Sequence, residues 1–323
     1  MRRAMVKCAL AKCALVLALL LVPRLAVALE IQEVANDSGI ELWLVEDHAN
    51  PIVSVAFGVK GGSGYDPAGK EGLAELASGL FDEGAGDLDS AAFQKQLNEH
   101  GIDFRFSAGQ DDFTGDLRFL SQDKDTAANL LNLALTKPRF DPEPLERIRN
   151  GLLIEIAQGE GDPGTIAGHN LDDMMLDGHP YGRPSNGTAT SVSALTAADL
   201  KDFVAHRFVR DRLHVAIVGD IDAAAAKAWA NAAFGALPQT AELDALPPLQ
   251  LPEKGRARVV DFAAPQATIL FAQPGIKRSD PDFFPAYLAN YVLGGGGFSS
   301  RLMNEVREKR GLVYGIGSDL WTM

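Results

Sequence analysis

Residues 72–84 read Gly-Leu-Ala-Glu-Leu-Ala-Ser-Gly-Leu-Phe-Asp-Glu-Gly. Leu73, Leu76 and Leu80 recur at spacings of three and four, the apolar face of one short amphipathic helix bounded by glycines. Upstream, Ile31–Val45 holds two apolar stretches around Asn36-Asp37-Ser38-Gly39, a strand, turn, strand pattern, and Val53–Val59 reads as a third strand. Downstream, Asp89 or Ser90 caps a helix that ends at Gly101. Ile102–Ala108 and Phe113–Leu120 alternate apolar and polar residues like half-buried antiparallel strands. Helices follow over Gln122–Thr136, Pro142–Gln158 and Gly164–Leu176, and a further one runs from a Thr196 cap, with Asp199 in the capping-box position, to Phe208. Leu213–Val218 is a buried strand, and Asp222 opens a helix to Phe234.

The rhythm of 72–84 resembles the active-site helix of the pitrilysin/insulinase family of zinc peptidases. Active members carry Gly-Leu-Ala-His-x-x-Glu-His there, two imidazoles four apart that grip zinc on one helical face, with a glutamate that activates its water. The resemblance continues through Phe140-Asp141-Pro142, His179-Pro180-Tyr181-Gly182, Gly187-Thr188, Leu195-Thr196 to Asp199-Leu200, Val218-Gly219-Asp220 and Gly294–Tyr314. It implies an α+β fold of two related domains, each an antiparallel-rich sheet packed against helices, closing like a clam over peptide. This sequence departs from the family where it matters most: Glu75, Ser78 and Gly79 stand at the two histidines and the glutamate. Glu155, 76 residues after Gly79, falls where the family places its third ligand, and alone it cannot hold a tetrahedral metal. By itself it reads as a solvent-facing helix glutamate. The six histidines, His48, His100, His169, His179, His206 and His214, include no i,i+4 pair. The chain is therefore expected to bind no metal of its own.

Two features of the second half point to a retained role. Arg307 and Tyr314, seven residues apart across a Gly-Leu turn, match the family's arginine–tyrosine pair, which reaches the zinc site and donates to substrate carbonyl and oxyanion. The bland alternative makes Arg307 a solvated helix-end cation and Tyr314 a core aromatic. Gly294-Gly295-Gly296-Gly297 lacks the lysine and order of a nucleotide loop. It reads either as a flexible connection or as backbone bared beside substrate, resembling the glycine-rich loop of the alpha subunit of mitochondrial processing peptidase.

Export is the expectation from residues 1–28: Arg2, Arg3, Lys7 and Lys12, an apolar run, then Ala26-Val27-Ala28 as a cleavage site, a signal peptide for the periplasm or secretion. Both cysteines, Cys8 and Cys13, lie inside it, so the processed chain has neither disulfide nor thiolate. With it go five cations, leaving 25 basic side chains against 43 acidic, a net charge of −18. That balance argues against nucleic acid or anionic lipid as the main partner.

The expected organisation is an N-terminal domain over 29–237, a proline-rich linker over 238–255, and the start of a second domain over 256–323. A shift of 214 residues lays Phe57 on Phe271, Gly61 on Gly275 and Asp66-Pro67 on Asp280-Pro281, a weak duplication in which a β-like run leads to a helix. Trp321-Thr322-Met323 reads as part of a strand, so the second domain is expected to be incomplete. Taken together, the resemblance implies the exported non-catalytic subunit of a two-chain peptidase, with Zn²⁺ on a zinc-bearing partner and an unstructured peptide as substrate. The alternative is a peptidase-derived binding or scaffold protein, as the core subunits of respiratory complex III are.

Overall fold

The structure is a computed structural model that describes residues 30–35 and 39–322. The expected signal peptide and the Asn36–Ser38 turn lie outside the described residues, among which no helix is long and apolar enough to cross a membrane. Residues Met1–Gln32 and Glu33–Met323 are separate units, and the helices and the five longer strands belong to the second.

Alternating apolar residues build one mixed sheet. After the two-residue edge β1 (Gln32–Glu33), its strands are β2 (Glu41–Glu46), β3 (Ile52–Lys60), β4 (Asp103–Ala108), β5 (Asp112–Leu120) and β6 (Leu213–Gly219), in the order β1-β2-β6-β3-β5-β4. β2 runs parallel to β6, and the β6–β3, β3–β5 and β5–β4 pairings are antiparallel. Register places Val55 between Ile217 and Leu117. One face therefore gathers Leu42, Leu44, Val53, Val55, Phe57, Leu117, Phe119, Val215 and Ile217, all buried, while Trp43, Ile52, Leu120 and Val218 on the opposite face are exposed.

Helices cover the apolar face: α1 (Leu73–Ser78), α2 (Ser90–Glu99), α3 (Lys124–Thr136), α4 (Pro142–Glu160), α5 (Pro163–Met175), α6 (Ala189–Ala194), α7 (Ala197–Arg207) and α8 (Ala223–Phe234). Their starts follow local chemistry. Asp89, Asp162, Thr188, Thr196 and Asp222 each accept a backbone N–H of their own first turn, and Thr188–Ser191 and Thr196–Asp199 are reciprocal capping boxes. Phe81, just after α1, is fully buried with its ring 5.0–5.4 Å from those of Phe106, Phe113 and Phe208. These aromatic contacts fix the focal helix to the sheet.

The second half departs from the sequence reading. Between Thr240 and Asp282 no residue is in a helix or strand, and Val259, Ile269 and Phe271 are exposed. The strands expected there, and at Trp321, do not form. A strand needs a neighbour to take its N–H and C=O groups, and these runs have no ladder partner among the described residues. Helix α9 (Phe283–Asn290) does form, followed by a π-helical stretch Tyr291–Gly295, a 3₁₀ turn Gly297–Ser299 and a second π-helical stretch Met303–Glu308.

Candidate functional site

The first cluster is built on α1. Gly72 enters it at φ 87°, a left-handed step suited to glycine. Leu73, Ala74, Leu76 and Ala77 are then driven into the core, leaving Glu75 and Ser78 half-buried at its edge. Asp66, 3% exposed, anchors this entry: its carboxylate accepts the Ala74 N–H at 3.2 and 3.3 Å. Burial pushes the Asp66 carboxyl up to about 7, against the pull of that N–H and of the Arg207 charge. Arg207 is itself buried and donates to the carbonyls of Gly61, Gly62 and Tyr65 at 2.6, 3.2 and 2.6 Å.

The positions singled out by the motif come together, but as something other than a metal site. Glu75 faces Glu155 of α4: burial first, and then the Glu155 charge, raise the Glu75 carboxyl. Glu155 is exposed and accepts from Asn186 Nδ2 at 2.8 Å. Ser78 turns its hydroxyl inward and donates to the Glu75 carbonyl at 2.8 Å. At Gly79 a Cβ would stand 2.8 Å from Ile148 Cγ2, so a side chain of α4 fills the room that an imidazole there would need. Two carboxylates, a committed hydroxyl and a methyl group do not fit the zinc that the family resemblance implies. Among the described residues no three His, Cys, Asp or Glu side chains gather to hold an ion.

The histidines are engaged separately. His48 bonds Asp220, His100 bonds Asp123, and His214 bonds Glu41 at 2.6–2.7 Å; His206 lies 3.3 Å from Asp202. His179 takes the Tyr181 N–H on Nδ1 at 3.1 Å, so Nε2 carries the proton and donates to the Pro247 carbonyl at 2.9 Å. A cleft of ≈ 830 Å³ opens where Asp66, Arg183, Phe203 and Arg207 face Glu242–Pro247, and none of Glu75, Glu155, Arg307 or Tyr314 lines it.

The second cluster lies in the last forty residues. Arg307, on the π-helical stretch Met303–Glu308, holds its guanidinium carbon 4.9 Å from the Phe298 ring centre and 5.7 Å from that of Tyr314. It also donates to Glu308 at 2.8 Å. The arginine and tyrosine of the motif are thus in contact, and Tyr314 is 87% exposed, a solvent-facing ring and not a core aromatic. The four glycines divide. A side chain at Gly294 would overlap Ser318, whose backbone N would be 2.6 Å away, and one at Gly295 would crowd Asn290 Nδ2 at 3.1 Å. Asn290 Nδ2 donates to the Ser318 carbonyl, locking the same approach. Gly296 sits against the Tyr291 carbonyl, and Gly297 alone of the four faces open space. Gly294, Gly295 and Gly296 thus let the chain pack on itself, which leaves Gly297 as the one with room beside it.

Sequence reasoning does not find three of the residues that shape these clusters. Ile148 lies seven before Glu155, two helical turns along the same face of α4, and that spacing is the signal that could have found it. Asn186 is placed by the loop before α6, and Phe298 by the turn after the glycines; no spacing rule picks out either.

Both halves of the chain match known families. The model described as Insulinase (Peptidase family M16) matches residues 42–189, and the one described as Peptidase M16 inactive domain matches residues 194–321. A Helicobacter pylori protein named Non-peptidase homolog YmxG is 28% identical over 292 residues, covering 90% of this chain and 67% of its own. A Streptomyces coelicolor protein named Uncharacterized zinc protease SCO5738 is 33% identical over 207 residues, 62% of this chain and 45% of that one. The chain thus spans about two thirds of the first relative and under half of the second. The crystal structure of a peptidase M16 inactive domain from Pseudomonas fluorescens superposes with a TM-score of 0.80 at 31% identity, covering 91% of this chain and 72% of that one.

Proposed function

Because this chain belongs to the insulinase (M16) family of peptidases, we propose that it is the metal-less subunit of a two-chain peptidase, supplying charge-stabilising donors to a zinc-bearing partner. One contrast carries the reading. The zinc positions are degenerate, with Ile148 packed into the room at Gly79, while Arg307 and Tyr314 stay in contact at a solvent-facing site. A buried arginine and a core tyrosine would be structural; a half-buried arginine against a solvent-facing tyrosine ring is open to another molecule.

In this reading the Arg307 guanidinium and Tyr314 hydroxyl donate to the scissile carbonyl of an extended peptide and to the oxyanion that forms from it. Such donors strengthen as charge develops, which is where they accelerate the reaction. Zinc and its water belong to the partner. Gly297, the glycine with free space beside it, is the point of closest backbone approach to the peptide. The signal-like segment 1–28 supports export, placing the pair of chains in the periplasm or outside the cell.

Mixing the purified chain with an M16 relative that carries His-x-x-Glu-His, and following cleavage of an unstructured fluorogenic peptide, tests this. Turnover by the mixture, absent from either chain alone and lowered at least tenfold by Arg307→Ala with Tyr314→Phe, is the expected result; one lost oxyanion donor costs about a hundredfold or more in well-placed sites. Turnover by this chain alone, or full turnover by the relative without it, overturns it. If the double variant leaves the mixture's activity intact, the chain is a scaffold.

A further inference from the structure

We propose that Phe298 is the positioning residue of the Arg307–Tyr314 pair, the shelf on which the guanidinium is held; this rests on the reading that the pair acts on substrate. Gly297 sits at φ +61°, with nothing where a side chain would be. That left-handed step comes cheaply only to glycine, and it turns the chain through Gly297–Ser299. The turn delivers Phe298 to the guanidinium at 4.9 Å, nearer than Tyr314 at 5.7 Å. Phe298 is 73% exposed, so core filling does not explain where its ring stands. Two residues on, buried Ser300 accepts the Met303 N–H at 3.4 Å and starts the segment that carries Arg307.

A shelf is needed because of the competing contact. Glu308, the next residue, accepts from Arg307 Nη1 at 2.8 Å, a partly exposed pair that is weak and screened by salt. Without the ring, that flexible carboxylate would share the guanidinium with water. Stacking on an aromatic ring engages the faces of the planar group and leaves its in-plane N–H edge for carbonyl oxygens. Phe298 thus acts through Arg307, and the last of the four glycines is there to place it.

Side-chain NMR of the full chain reads this without any partner. The Arg307 δ-protons are expected upfield of those of a solvated arginine in wild type, shifted toward the solvated value in Phe298→Ala, and restored in Phe298→Tyr. Unshifted protons in wild type, or protons unmoved by Phe298→Ala, overturn the proposal. In the peptidase mixture Phe298→Ala is expected to lower kcat about two- to fivefold, the scale of an exposed cation–π contact, with KM held and Phe298→Tyr rescuing. A rise in KM with kcat unchanged overturns positioning in favour of direct substrate contact. An upfield signature in a chain that stimulates no M16 relative defeats the partner reading while the positioning of Arg307 stands.

Discussion

At Gly79 a helix end meets a methyl group, and the consequence can be measured. A Cβ there would stand 2.8 Å from Ile148 Cγ2 in a close-packed interface, with α1 held by Phe81 on one side and α4 on the other. Gly79→Ala, which improves helix propensity, is therefore expected to destabilise by about 1–3 kcal/mol through overpacking. Ile148→Ala in the same chain should recover part of that loss, and urea midpoints of the two single variants and the double separate strain from propensity. By the same geometry, writing Glu75→His, Ser78→Glu and Gly79→His into the chain will not restore stoichiometric zinc unless Ile148 is also reduced, which metal analysis after dialysis checks. Asp66 offers a second test. Its carboxyl is pushed up to about 7 in the folded chain from an ordinary value of 3.8, chiefly by burial. Between those values the folded chain holds a proton that the unfolded chain has released, so stability falls as pH rises from about 4 to about 7 and levels off above. Thermal midpoints should drop over that window in wild type, and Asp66→Asn, which still offers an oxygen to the Ala74 N–H, should flatten the slope.

At the scale of elements, Arg207 joins what the sequence separates. From the end of α7 it gathers the carbonyls of Gly61, Gly62 and Tyr65 while its guanidinium lies over the Phe203 ring at 5.1 Å. The loop leading into α1 is thereby fixed, and Asp66 within it anchors the helix. Arg207→Ala strands the Gly61 and Tyr65 carbonyls and removes the positive charge beside the Asp66 carboxyl, and is expected to cost on the order of 3–5 kcal/mol. Arg207→Lys should fall between, since an ammonium lacks the fork that spans the carbonyls; chemical denaturation ranks the three. Phe203 lies only four residues before Arg207, but the carbonyl contacts are not legible in the sequence, because they join residues more than 140 apart. What can be read is local. The Thr196–Asp199 box, the Pro142 start of α4 and the alternation in β3 and β5 are set by neighbours in the chain, and the structure places each within a residue or two of the reading. The Thr188–Ser191 box escapes it because serine at its third position is not the usual acidic partner. The β-like run around Phe271 fails for the opposite reason: β propensity is a local signal, and pairing is not. Likewise the departures at Glu75, Ser78 and Gly79 are plain in the sequence, whereas Ile148 beside Gly79 and Asn186 on Glu155 reach the site only through packing.

Across the whole molecule, stability and the arginine–tyrosine cluster reside in different stretches of chain. Every residue of the connected core, from Ile40 to Leu237, precedes Pro238. Beyond it the buried apolar side chains reduce to Phe283 and Met303, while Phe284, Tyr287, Leu288, Tyr291 and Val292 of α9 and its extension are exposed. The segment after the core is nevertheless tied to it. The Arg210 and Asp211 N–H groups donate to Pro238 and Gln239, His179 holds the Pro247 carbonyl, and Arg258 pairs with Asp173 at 2.7 Å. These tethers are polar and mostly exposed, worth little against a core of that size. A fragment of residues 30–240 should accordingly fold cooperatively, with a thermal midpoint within a few degrees of the parent, since a change of 1 kcal/mol moves a domain of about 200 residues by only about 2–4 °C. Calorimetry of the fragment beside the parent decides it. A midpoint more than about 10 °C lower would place a substantial part of the stabilising contacts beyond residue 240, on the chain that carries Arg307 and Tyr314, and the pair would then be part of the folding unit.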